Sequence, residues 1–111
     1  MATYKRWAIG VFDTGSGDDT QELLTVSAST AVVISSLIIS NYSGDTDANV
    51  VFEHLDSTTA LLQKFSLSIP ADLSPLVIDS SFVLEAADVI NITSNINNLS
   101  VIVSGEEVAV T

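Results

Sequence analysis

The stretch Leu61-Leu62-Gln63-Lys64-Phe65-Ser66-Leu67-Ser68-Ile69 decides the fold class. Leu61, Phe65, Leu67 and Ile69 share one face of an extended chain, and Leu62, Lys64, Ser66 and Ser68 share the other. A period of two belongs to a half-buried β-strand and does not fit a helix. Working outward, the run from Ala31 to Tyr42 (AVVISSLIISNY) is apolar on both faces and reads as an interior strand, while Ile90 and Ile92 alternate with Val89, Asn91 and Thr93. Of the 111 residues, 13 are Val, 10 Ile and 10 Thr, so propensity agrees with pattern: β-branched side chains lose rotamer freedom in helices and pack well on pleated strands.

Turn-forming clusters separate these runs, at Asp13 to Asp19 (DTGSGDD), Ser27 to Thr30, Ser43 to Asp47, Asp56 to Thr59, Pro70 to Pro75, Glu85 to Asp88, Ser94 to Asn98 and Ser104 to Glu107. Short strands punctuated at this spacing predict an all-β fold. The expectation is a single β-sandwich domain over residues 1–111, jelly-roll or Ig-like, of about eight antiparallel strands, with residues 1–12 forming a docking arm or an edge strand. Near the end, Val101 and Val103 keep one phase and Val108 and Val110 the other, so Gly105 is predicted to mark a bulge or tight turn that resets the register.

Composition narrows the function. Fourteen acidic against three basic residues give a net charge of −11, which repels phosphate backbones and argues against nucleic acid as a direct partner. No apolar run approaches the roughly 18–20 residues of a membrane span, and MATYKRWAIG lacks the continuous apolar stretch of a signal peptide, so a soluble protein without a membrane partner is expected. With no Cys, neither disulfides nor thiolate metal sites hold the fold, and stability must come from a core or an oligomer interface.

Several constellations carry candidate chemistry. Val11-Phe12-Asp13-Thr14-Gly15-Ser16 resembles the active-site loop of retroviral-type aspartic proteases, in which two carboxylates, one Asp from each subunit, share a proton and activate water. Those enzymes also need a glycine-rich flap and a later apolar-apolar-Gly loop, and no glycine occurs between Gly44 and Gly105, so the motif is read as a turn and no catalytic residue is assigned. Asp45, Asp47, Asn49 and Asp56 imitate the alternating oxygen ligands of a calcium loop, but its sixth position, which needs glycine, is Val50. An acidic hairpin turn is the better reading there, with loosely held Ca²⁺ between subunits left open; no metal site or cofactor is assigned. His54, the single histidine, has no partner for a zinc site or a Ser-His-Asp triad and is placed on a strand surface or an interface. The Asn-x-Ser/Thr triplets at Asn41, Asn91 and Asn98 are what an Asn/Ser/Thr-rich chain yields by chance. The candidate interaction residues are Tyr4, Lys5, Arg6 and Trp7, which gather two of the three positive charges and the only tryptophan; the equal alternative is that Trp7 fills the chain's own core.

The segment from about Thr30 to Val108 resembles a family of small β-sandwich virion proteins of tailed bacteriophages. The resemblance is carried by VVISSLIISNYSG, FSLSIPADLSPLVIDSSFVLEAADVINITS and NLSVIVSGEEV, most specifically by Ser68-Ile69-Pro70-Ala71, Val83-Leu84-Glu85-Ala86-Ala87-Asp88 and Val101-Ile102-Val103-Ser104-Gly105. One departure is Ala87, where glycine is expected in the turn before Asp88. The resemblance implies a non-enzymatic structural role in the virion, after synthesis in the host cytoplasm, as a capsid decoration (cement) protein. Its partners would be the major capsid protein or other virion proteins, and it would be a homo-oligomer, trimer or dimer. The alternatives are a tail, fibre or neck component, or a glycan- or receptor-binding β-module.

Overall fold

Strand grammar of this kind folds into two stacked sheets. The computed structural model describes residues 2–15, 17–71, 75–79 and 81–110; Ser16 of the Asp13–Ser16 motif and residues 72–74 of the Pro70–Pro75 cluster lie outside them. Among the described residues there are nine strands and no helix: β1 (Ala2–Ile9), β2 (Asp19–Thr25), β3 (Thr30–Asn41), β4 (Ala48–Leu55), β5 (Leu61–Ile69), β6 (Leu76–Ile78), β7 (Phe82–Leu84), β8 (Val89–Ser94) and β9 (Leu99–Ala109). One sheet runs β1-β9-β3-β6, with β7 pairing the other half of the same edge of β3, and the second runs β2-β8-β4-β5. Every pairing is antiparallel. The all-β sandwich expected from the sequence is therefore the fold.

The core lies between the sheets. Val32, Ile34, Leu37 and Ile39 of β3 and Val101 and Val103 of β9 face Val50 and Phe52 of β4 and Ile90 and Ile92 of β8, all at most 3% exposed. Burying each such side chain contributes roughly 1.5–3 kcal/mol before chain entropy is charged against it. Phe52 stacks on Phe65 of β5 with ring centroids 4.7 Å apart and meets Phe82 of β7 edge-on at 6.1 Å, so aromatic packing ties the two sheets together near one margin of the sandwich.

The interior position predicted for Ala31–Tyr42 holds, since β3 is flanked by β9 on one side and by β6 and β7 on the other. The alternation in β8 holds as well, Ile90 and Ile92 being buried. In β5 the alternation of burial begins only at Phe65. Leu61 and Leu62 are both about half exposed where this edge strand leaves the Asp56 turn.

Two expectations need correction. Ser104 to Glu107 is not a turn and Gly105 does not reset the register, because β9 runs unbroken through it and pairs with β1 without a shift from Ile9↔Val101 to Ala2↔Val108. The irregularity lies in the facing strand, where the β3–β9 register slips between Ile34 and Ser36 and leaves Ser35 bulged. The bulge carries the backbone of β3 toward β9, so a Cβ on Gly105 would sit 2.3 Å from the Val33 carbonyl oxygen. Glycine is needed for close approach, and β9 keeps a single alternation, Val101 and Val103 facing the core and Val108 facing outward beside Ala2 and Ala31.

The second correction concerns His54. It is 7% exposed on the inner side of β4, not on a surface or interface, and its Nε2 lies 2.9 Å from Oδ2 of Asp88, itself 5% exposed. The same carboxylate oxygen accepts the Glu85 amide at 2.9 Å. Val26 and Ala87 add two backbone bonds around this turn, Val26 N to Asp88 O and Ala87 N to Val26 O. A buried polar side chain is tolerated because each finds a partner, and here the pair fastens the β7–β8 turn to β4.

Candidate docking surface

The candidate interaction residues Tyr4, Lys5, Arg6 and Trp7 all lie on β1, an edge strand whose other side pairs with β9. Alternation splits them. Trp7 and Lys5 point to the inner side, where Trp7 packs half-buried against the core and Lys5 Nζ makes a 3.1 Å ion pair with Glu107 Oε1. Tyr4 and Arg6 point outward, Tyr4 being 84% exposed. The sequence therefore grouped four residues of which the structure presents two together on the outer face. Trp7 serves the chain's own packing.

Around Tyr4, Lys5 and Arg6 the surface is shallowly concave, a depression of about 460 Å³ whose floor is Ser104, Gly105 and the bulged Ser35. The Ser35 hydroxyl donates to the Ser104 carbonyl at 3.2 Å, which fixes the bulge. The hollow owes its shape to the same one-residue slip that requires Gly105. It joins an aromatic ring, a guanidinium and hydroxyls, a combination suited to holding a protein carboxylate or carbonyl.

The other candidate chemistries occupy structural positions. Asp13 Oδ1 accepts the Gly15 amide at 3.3 Å, Gly17 N donates to Thr14 O at 3.2 Å, and Asn97 Oδ1 accepts from both the Thr14 amide, 2.8 Å, and the Thr14 hydroxyl, 2.5 Å. That is an Asx-type turn tied to the β8–β9 loop. Asp45 and Asp47 precede β4, with Asp45 accepting from Thr46 Oγ1 at 3.0 Å and Asp47 accepting the Ala71 amide at 3.3 Å. Among the described residues no group of three or more His, Asp or Glu side chains is placed to hold a metal ion. Asn41 is 6% exposed and its Nδ2 donates to the carbonyls of Thr46 and Ile69, both at 2.8 Å, so it braces the β3–β4 turn.

Sequence reasoning missed the His54–Asp88 pair, whose members are 34 residues apart and share no motif. It also missed the outer face of the β1-β9-β3 sheet. The available signal was the run AVVISSLIIS, apolar on both faces when one buried face already accounts for its role. Neither comparison with protein-family models nor comparison with curated proteins finds a match for this chain.

Proposed function

We propose that this chain is a virion structural protein of a tailed phage, a capsid decoration protein that docks on an assembled head shell and stabilises it. The observation that carries a docking role is the outward presentation of Tyr4 and Arg6 on an edge strand of a sandwich whose net charge is −11. Aromatic and Arg side chains are the usual anchors of protein interfaces. The resemblance of residues 30–108 to phage sandwich proteins supplies the setting. At its one departure, Ala87 in place of glycine, the backbone has φ 67°, a left-handed conformation that favours glycine.

The stabilising mechanism is mass action. A protein that binds the assembled shell and not its separated subunits shifts the equilibrium toward the shell, and many equivalent sites act together. A glycan- or receptor-binding module is the weaker reading. Trp7 is committed to the core, and the Tyr42 hydroxyl is held by the Gly10 carbonyl at 2.5 Å, which leaves Tyr4 as the freest ring for sugar stacking.

Cryo-electron microscopy of purified virions tests the proposal. Copies at symmetry-equivalent positions over the shell are expected; a few copies at the tail or neck would move the protein to that structure, and its absence from virions would overturn the reading. Arg6→Glu should weaken binding to shells stripped of the protein by about tenfold or more, because a desolvated charge contact would become repulsive.

A further inference from the structure

Burial between the sheets decides which side chains of the β1-β9-β3-β6/β7 sheet face the other way. With Val32, Ile34, Leu37, Ile39, Val101 and Val103 inside, their neighbours in sequence face out. Register arranges these outward residues in rungs across the strands. One rung is Ala8, Ile102, Ile38 and Val77, and another is Tyr4, Glu106, Val33 and Val83. A third is Ala2, Val108 and Ala31, and the rung at the bulge is Arg6, Ser104 and Ser36.

Of the fourteen residues in these rungs nine are aliphatic, and one further rung, Ser100 and Ser40, is polar. Val77 is 52% and Val83 58% exposed, and these rungs carry two charges, Arg6 and Glu106. The outer face of the second sheet is built differently, with Glu22, Asn49, Glu53, Asn91, Lys64 and Ser66 among its outward residues. An antiparallel sheet with one face in water alternates apolar and polar residues; one that is apolar on both faces has a second surface to cover.

We infer that a second copy of this chain covers it, the two sheets packing face to face about a two-fold axis. Charge selects this occupant. A chain with 14 acidic and three basic residues repels its own copies over most orientations, yet these rungs carry one charge of each sign. Arg6 and Glu106 make the surface self-complementary, because a two-fold axis between them sets each opposite the other's counterpart on the partner. Within the chain neither is engaged, the ion pairs among the described residues being Lys5–Glu107 and His54–Asp88.

Area sits at the lower end of what a stable pair needs. With 8 residues in β1, 11 in β9, 12 in β3 and 3 each in β6 and β7, at about 3.3 Å per residue and about 4.8 Å between strands, the sheet covers roughly 590 Å² per protomer, or about 1,200 Å² for the pair. Stable interfaces bury roughly 1,200–2,000 Å². The inference goes beyond the virion reading and concerns the purified chain alone; because Tyr4 and Arg6 lie in this face, a chain that binds a shell through them has released its copy.

Sedimentation equilibrium of the full chain at concentrations up to roughly 100 µM tests it. The expected mass is twice 11.7 kDa. Val77→Glu with Val83→Glu should give a monomer whose far-UV circular dichroism is unchanged, both side chains being more than half exposed. Arg6→Glu and Glu106→Arg should each weaken the dimer by about tenfold, and the two together should restore it. A monomeric parent chain, or a dimer insensitive to Val77 and Val83 and to the charge swap, would overturn the inference. The charge swap decides the matter even if the glutamate pair disturbs folding.

Discussion

Ser29, Thr59 and Ala87 have φ of 61°, 63° and 67°, a left-handed backbone that costs an L-residue with a Cβ about 1–2 kcal/mol relative to glycine. Ala87→Gly should therefore raise stability by about 1 kcal/mol, read as a higher urea midpoint at unchanged slope; a lower midpoint would show that the turn is held for another reason. The position stood out in the sequence because the resemblance expects glycine in the turn before Asp88. His54 was misplaced because its partner is local only in space. Replacing His54 by Ala would leave Asp88 buried with one partner fewer, a loss of about 1–3 kcal/mol measurable by thermal unfolding, whereas the same change at exposed Gln63 should be nearly silent. Two carboxylates give acid sensitivity with a definite sign. Asp56 is held below the ordinary 3.8 by the Thr58 hydroxyl and the Ala60 and Thr58 amides. Asp19 is held below it by the Asp13 amide and the Gln21 side chain. A native value below the unfolded one means that on acidification the unfolded chain binds protons first. The contribution to stability is thus complete above the unfolded value and is lost as pH falls through the native one. NMR titration should give midpoints below 3.8 for both residues; a midpoint at or above it for either would contradict the hydrogen bonding described.

Strand existence was legible wherever period-two alternation met turn residues, as in β5 and β8, because both signals are local. Pairing was not, since register is set by strands far apart in sequence: β1 and β3 both pair with β9, and nothing near Gly105 discloses that the slipped strand is β3. The bulge makes a sharp prediction. Gly105→Ala would bring a Cβ within 2.3 Å of a backbone oxygen, and a loss of about 2–3 kcal/mol is expected in denaturant titration, against little change for Gly10→Ala, where a Cβ meets nothing within 4 Å. The candidate docking strand was found from composition, through its two cations and its tryptophan. Its division into an inward Trp7 and an outward Tyr4 and Arg6 follows from alternation, once pairing with β9 shows which side is buried.

For the whole molecule, charge and shape work together. The sandwich measures 48 × 26 × 19 Å and carries a net charge of −11, so copies approaching one another meet long-range repulsion that salt screens over about 10 Å at 0.1 M. Self-association through the aliphatic sheet face should tighten as ionic strength rises from low values, the opposite of an interface driven by attraction between charges; sedimentation at two salt concentrations distinguishes them. The three cations have a further consequence. Lys5 and Arg6 lie on the edge strand β1 and Lys64 on the edge strand β5, where charge discourages another chain from adding to the sheet. They are also the only bonds after which trypsin cuts. Each lies within a hydrogen-bonded ladder, Lys64 directly across from Glu53. Cleavage after Lys64 must wait until β5 leaves β4, so the rate of that single cut becomes a clock for the detachment of this edge strand.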